Sequence, residues 1–220
     1  MPDFPTPKLH IPWSAFPESV YEPSEDTYLL IDALGQDYEY FSLKEACVIL
    51  EVCCGNGFPI TSASMTFDRS LCLAIDLNIR ALTFTKKLSS SNQANVDPIL
   101  SSLTHGLCST SIDLLICNPP YVPSDSNINV KPCNQVDSEF LIDLAWKGGE
   151  DGMEFVHALL PEASRVLSPS GLFYCIVLAS AWDNYITKHK LYVVLYFKKY
   201  KVIAMRKSVL ETLLVIRFER

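Results

Sequence analysis

The sequence has no C-x-x-C pair, although it contains eight cysteines. Cys47, Cys53, Cys54, Cys72, Cys108, Cys117, Cys133 and Cys175 show no matching histidine spacing either, which argues against a metal site built by this chain alone. Most of them sit inside apolar runs, where free cysteine behaves as a small hydrophobe, and that suits a reducing compartment. Positive charge is also scarce. Lysine and arginine number 18 against 25 acidic residues, for a net charge of −7. A domain that grips nucleic acid presents a basic face to phosphates, so direct nucleic-acid binding is not expected. The densest basic run, Lys198, Lys199 and Lys201 followed by Arg206 and Lys207, reads as a solvated strand edge. No apolar run approaches the ~20 residues that span a bilayer. Met1 to Pro5 lacks a basic segment followed by an apolar stretch, so no signal peptide is expected. A cytoplasmic protein is the expectation, with the nucleus left open and no membrane partner. No Ser/His/Asp set is visible, because His10, His105, His157 and His189 are scattered.

What is present points to one α/β domain spanning 1–220. Hydrophobic residues make up 49%, enough for a well-filled core or for a core plus an apolar partner surface. Residues 1–23 carry six prolines and read as an extended arm. Ser24 then offers an N-cap, with Glu25 and Asp26 in the dipole-favoured first turn and Leu29, Leu30, Ala33 and Leu34 on one face. Short apolar runs follow at Cys47–Val52, Leu71–Ile75, Ile112–Cys117 and Leu172–Leu178, with a weaker one at Val96–Leu100. Helical spacing covers Arg80–Leu88 and Glu154–Leu167. Ser89–Ser91 reads as a loop, and so does Ser124–Glu139, on the substrate side. This alternation predicts a mostly parallel sheet covered on both faces. Tyr200–Met205 and Thr212–Phe218 add a terminal antiparallel hairpin.

Ligands of such sheets bind beyond the carboxyl ends of the strands. The polar residues gather there. Gly55-Asn56-Gly57 follows the first strand and either lets backbone approach a ligand or merely makes a tight turn. Asp76 ends the second strand, where a carboxylate can accept both hydroxyls of a ribose or simply favour a helix N-terminus. Asn118-Pro119-Pro120-Tyr121 ends the fourth and is the most specific signal. The proline pair stiffens the backbone and removes two N–H donors. The Asn118 side-chain oxygen and the Pro119 carbonyl can then each accept one hydrogen of a planar –NH₂ group, turning its weak lone pair toward an incoming methyl. Tyr121 adds a flat face. The plainer alternative is a proline turn closing a strand. Methyl transfer from a sulfonium needs alignment and dryness more than acid–base groups, so the missing triad is consistent with it.

These motifs resemble the class I S-adenosylmethionine-dependent methyltransferases. The fuller pattern is similar to the HemK family of protein-glutamine methyltransferases, in the eukaryotic and archaeal branch that modifies a class 1 translation release factor. It rests on Tyr21-Glu22-Pro23-Ser24-Glu25-Asp26-Thr27, Leu50-Glu51-Val52, Asp76-Leu77-Asn78, Asn118-Pro119-Pro120-Tyr121-Val122, Leu144-Ala145-Trp146-Lys147-Gly148-Gly149 and Glu211-Thr212-Leu213. The resemblance implies a Rossmann-like fold and an S-adenosylmethionine site at Thr27, Glu51, Gly55, Gly57, Asp76, Ser102, Leu103 and Asn118. It implies an acceptor glutamine of a Gly-Gly-Gln tripeptide held by Asn118, Pro119 and Tyr121. It also implies a small zinc-binding activator subunit, for which the third-strand edge at Val96–Leu100 is the expected docking place. Two positions depart from the family. Cys53 replaces a glycine, at a cost near ~1 kcal/mol if the turn needs positive φ. Ser102 replaces an aspartate.

Two rival readings share these residues. An adenine-N6 methyltransferase would use the same tetrapeptide on an exocyclic amine, but needs a surface for the strand that carries a flipped base. A catalytically silent interaction module of the same fold would account for Cys53 and Ser102.

Overall fold

The computed structural model describes residues 4–42, 47–125, 138–209 and 211–220. Seven strands form one sheet: β1 (Val48–Val52), β2 (Leu71–Asp76), β3 (Val96–Leu100), β4 (Ile112–Cys117), β5 (Leu167–Leu178), β6 (Lys199–Lys207) and β7 (Thr212–Glu219). Their order is β3-β2-β1-β4-β5-β7-β6. The first five pair in parallel, and β7 runs antiparallel to both β5 and β6. The sequence reading of a mostly parallel sheet ending in an antiparallel hairpin therefore holds.

Burial explains why the central strands are apolar throughout. Phe173 and Tyr174 are consecutive in β5, so they point to opposite faces, yet both are fully buried. Phe173 stacks on Phe218, and Tyr174 meets Phe41 edge-on. A strand covered on both sides has no polar face to alternate with.

Seven helices are described: α1 (Glu25–Gln36), α2 (Tyr38–Ser42), α3 (Phe58–Thr66), α4 (Ile79–Ser91), α5 (Ser138–Trp146), α6 (Glu154–Val166) and α7 (Ala179–Tyr196). The N-terminal arm is largely irregular, with one 3-10 turn at Trp13–Ala15. No described helix is long and apolar enough to cross a membrane.

Several expected boundaries move. Ser89–Ser91 is not a loop but the last turn of α4, where Ser89 Oγ donates to Lys86 O (3.0 Å) and Ser91 Oγ to Leu88 O (2.8 Å). Leu167 opens β5 rather than closing α6. The register jumps from Ile112↔Leu167 to Leu114↔Leu172, so Ser168–Gly171 bulges out between two paired points. Of the expected loop Ser124–Glu139, Ser138 and Glu139 begin α5, while 126–137 lie outside the described residues. Pro161 sits inside α6, where it cannot donate to the carbonyl of His157. The Tyr192 hydroxyl from α7 donates to that carbonyl instead, at 3.3 Å.

The sheet order fixes where a ligand can sit. From β1 the chain steps outward through β2 to β3, then returns to β4 on the other side. The crevice beyond the carboxyl ends of β1 and β4 is the topological switch point.

Candidate active site

A cavity of about 440 Å³ opens at that crevice, within the usual range for small-molecule sites. Its walls include Glu51 from β1, Gly55 from the following turn, Asp76 from β2, and Asn118 and Tyr121 beyond β4. The N-terminal arm closes one side through Ser19, Val20 and Tyr21. Two asparagines pin it there: Asn78 Nδ2 donates to Ser19 O at 2.6 Å and Asn56 Nδ2 to Tyr21 O at 3.2 Å.

On the β2 side, Asp76 is held by backbone. Its Oδ2 accepts from Gly55 N (2.9 Å) and its Oδ1 from Asn78 N (2.8 Å). Each oxygen keeps accepting capacity, so the pair suits two neighbouring hydroxyls. Burial raises the carboxyl pKa, against the pull of these backbone donors. Glu51 is fully enclosed and accepts from Ile60 N at 3.0 Å. Burial pushes its pKa well up, with the nearby Asp76 charge adding to the rise.

The turn after β1 has the left-handed backbone its glycines suggest, at Gly55 (φ 48°) and Gly57 (φ 69°), and Cys53 shares it (φ 57°). Gly57 does not line the cavity. A Cβ there would lie 2.4 Å from Thr85 Oγ1, so α4 packs directly on its backbone. Ser102 and Leu103 occupy the turn after β3, where Ser101 N donates to Asp76 O at 3.2 Å, and neither lines the cavity.

The side beyond β4 is organised around a carboxylate that the sequence reading treated as a helix-dipole charge and as part of the Tyr21–Thr27 motif, without a role of its own. Asp26 is 2% exposed. Its Oδ2 accepts from Tyr21 Oη (3.1 Å), Asn118 Nδ2 (3.1 Å) and Tyr121 Oη (3.0 Å). Its Oδ1 accepts from Ser24 Oγ (2.9 Å) and Thr27 N (2.6 Å). Thr27 is thus a buried part of the α1 start as well as a cavity wall. Burial and the Asp26 charge push the Tyr21 hydroxyl up to about 12 and raise that of Tyr121 as well, so both remain donors at neutral pH. Asn118 Oδ1 is enclosed and has no hydrogen-bond partner among the described residues.

The backbone after Tyr121 is strapped to the segment following α5. Val122 N donates to Trp146 O (3.0 Å) and Gly148 N to Val122 O (2.8 Å). Glycine is required at 148, where a Cβ would fall 2.8 Å from Tyr121 C and 2.9 Å from Pro120 O.

Glu51 gives a pH-dependent prediction. Its folded pKa exceeds its unfolded value, so its contribution to stability is complete below the usual carboxylate range and is lost as pH rises through the raised pKa. Glu51→Gln can keep the Ile60 contact without that loss. The variant free of ligand is expected to melt higher than wild type near neutral pH, with the gap closing toward about pH 4. Thermal melts across pH check this, and a gap independent of pH would contradict it.

A seven-stranded sheet in this order, with a mostly apolar cavity at its switch point into which Glu51, Asp76 and Asn118 bring the polar groups, defines the Rossmann-like methyltransferase class. Residues 24–131 match the methyltransferase small domain. The chain is 38% identical over 182 residues to "Methyltransferase HEMK2" of Mus musculus, covering 80% of each chain. It is 30% identical over 179 residues to "eRF1 methyltransferase catalytic subunit mtq2" of Schizosaccharomyces pombe, covering 74% of each. Among solved structures, the E. cuniculi Mtq2–Trm112 complex, described as responsible for methylation of the eRF1 termination factor, matches with a TM-score of 0.62 at 22% identity over 92% of this chain and 99% of that one. The chain belongs to the HEMK2/Mtq2 methyltransferase family.

Proposed function

We propose that this protein transfers the methyl group of S-adenosylmethionine to the side-chain nitrogen of the Gly-Gly-Gln glutamine in a class 1 translation release factor. The observation that carries this reading is the unpartnered Asn118 Oδ1 beside the cavity, with its amide nitrogen already taken by Asp26. A buried carbonyl oxygen without a donor costs about 1–3 kcal/mol, which an arriving N–H recovers. The family's members supply the substrate class, since relatives are named for eRF1 and for release factor glutamine.

The residues present suit S-adenosylmethionine. The two Asp76 oxygens fit ribose hydroxyls, and the carboxylates of Glu51 and Asp76 favour a cationic ligand. Thr27, Gly55 and Asn118 complete the wall, while Gly57 acts through the turn it allows. Ser102 and Leu103 stand outside the cavity wall, in a turn tied to Asp76 through Ser101 N, and their adenine role rests on the family resemblance. When bound, the cofactor would supply a sulfonium methyl whose departure leaves a neutral thioether, while the amide nitrogen that gains the methyl gives up one of its two protons to solvent. Asn118 Oδ1 and the Pro119 carbonyl accept the two amide hydrogens and hold the glutamine nitrogen with its π-face forward. Tyr121 anchors this arrangement through its hydroxyl on Asp26 as well as packing beside the acceptor. The arm and the α5 strap exclude water, so alignment supplies most of the catalysis.

A small zinc-binding subunit of the Trm112 kind joins this reading as partner. Among the described residues no strand pairs with the outer edge of β3, and its Leu100 is 58% exposed. A partner strand added there would cover it. Cys53, Cys54, Cys72, Cys108, Cys117 and Cys175 form no disulfide, which fits a cytoplasmic location.

Mass spectrometry of a release factor incubated with the protein, its partner subunit and labelled cofactor tests the function. One added methyl on the glutamine of Gly-Gly-Gln is expected. Label appearing in adenine of a DNA or RNA control, with the glutamine unmodified, would overturn the reading.

A further inference from the structure

Three donors meet on one oxygen of Asp26: Tyr21 Oη from the arm, and Asn118 Nδ2 and Tyr121 Oη from the tetrapeptide. We propose that Asp26 is the positioning residue of the site: it holds the Asn118 amide by Nδ2, so that Oδ1 alone is offered to the acceptor. This rests on the reading of Asn118 given above.

A free asparagine amide can turn over, exchanging a carbonyl oxygen for an NH₂ group of nearly the same shape. In one orientation it accepts from a glutamine –NH₂. In the other it presents a donor to a donor, and the glutamine is repelled. A carboxylate oxygen only accepts, so it selects the orientation with Nδ2 toward it. The Nδ2 to Oδ2 distance of 3.1 Å places that selection inside hydrogen-bond range. The same contact draws charge toward the amide oxygen, because a charge-assisted bond at the nitrogen strengthens the acceptor at the other end.

Asp26 is itself rigid. Its Oδ1 is fixed by Ser24 Oγ and Thr27 N at the start of α1. Its Oδ2 is shared with Tyr21 Oη from the arm and Tyr121 Oη from the tetrapeptide. The carboxylate therefore joins three pieces of chain, the arm, α1 and the segment after β4, at one atom. An arm displaced from Asp26 would loosen the acceptor side directly, which gives the Tyr21-to-Asp26 stretch a chemical purpose beyond covering the cavity.

Asp26→Asn tests this. The amide can keep Thr27 N on its oxygen, but then its NH₂ faces Asn118 Nδ2, Tyr21 and Tyr121, and the Asn118 amide is driven to turn. Turnover of release factor should fall about 100-fold, the scale of losing one preorganised transition-state contact, while cofactor affinity by calorimetry stays within about threefold. In the wild type, the Asn118 side-chain amide protons should exchange slowly with solvent by NMR, and that protection should vanish in the variant. Turnover within about threefold of wild type would overturn the proposal. So would parallel loss of cofactor affinity and turnover, which would make Asp26 a prop for α1 only. Should the variant not fold, the wild-type NMR measurement decides: fast exchange of the Asn118 amide contradicts the proposal, and slow exchange supports it. Failure of the wild type to methylate glutamine while its Asn118 amide remains protected would count against the functional reading and not against the role of Asp26.

Discussion

Asn118→Ala is expected to lower turnover by about 1,000-fold, or roughly 4 kcal/mol in the barrier, with cofactor affinity changed by less than about threefold. The asymmetry follows from where the side chain is tied. Its nitrogen is bound to Asp26 and its oxygen has no hydrogen-bond partner among the described residues, so no described hydrogen bond depends on that oxygen. Asp26 retains Tyr21, Tyr121, Ser24 and Thr27 in the variant, so the cavity keeps its shape. Asp76 and Glu51, which line the cavity from β2 and β1, are not touched. Only the hydrogen bond that orients the acceptor nitrogen is lost, and its value is realised as the methyl moves. Single-turnover methylation beside calorimetric titration of the cofactor separates the two effects. Equal losses in both would show that Asn118 serves the cofactor rather than the acceptor.

The largest expected loss of stability lies away from the cavity. Arg217, on β7, is 5% exposed and is paired with Asp37 at the end of α1 (2.5 Å) and with Glu219 (2.8 Å), while its guanidinium lies 3.6 Å from the centre of the Tyr40 ring. Asp37 also accepts from the Tyr174 hydroxyl at 2.6 Å, and that contact together with burial raises the tyrosine's pKa. Asp37→Ala removes one acceptor from two buried donors and leaves most of a buried cation to Glu219. Breaking such a pair costs about 3–5 kcal/mol. That is a large share of the roughly 5–15 kcal/mol that holds a domain together. Denaturant melts should show a lower midpoint with an unchanged slope. The double variant Asp37→Leu, Arg217→Met should lose less than Asp37→Ala alone, because no charge is stranded. A single-variant loss below about 1 kcal/mol would mean that the network is solvated.

The sheet was readable because strands buried on both faces must be apolar along their length, and Leu114–Cys117 or Phe173–Val177 leave little else to assign. The helices were less readable for a related reason. In α3, Ile60, Thr61, Ser62 and Ala63 are all fully buried, so no polar face marks a period. In α7, the helix kinks at His189, and exposed Leu191 and Leu195 blur the face that buries Trp182, Tyr185 and Val193. Ser89–Ser91 has the composition of a loop, and only the back-bonding to Lys86 and Leu88 shows that it is helix. The site divided in the same way. Glu51, Asp76 and Asn118 announce themselves by standing at strand ends, which sequence can locate. Asp26 did not, because its meaning depends on Asn118 and Tyr121, 92 and 95 residues further along. An aspartate in the first turn of a helix has a sufficient local explanation, and nothing local distinguishes it from a buried hub. For Gly57 the motif left ligand approach and a tight turn both open, and it is the close packing of Thr85 from another helix, which sequence cannot locate, that shows what the turn accommodates.

The most direct measurement is a crystal structure of the protein with S-adenosylhomocysteine and a peptide containing Gly-Gly-Gln. The glutamine side-chain nitrogen should lie about 3 Å from Asn118 Oδ1, within hydrogen-bond range, with Asn118 Nδ2 still on Asp26. A peptide seated elsewhere, or a glutamine nitrogen facing away from residue 118 while Oδ1 stays unpartnered, would contradict the account.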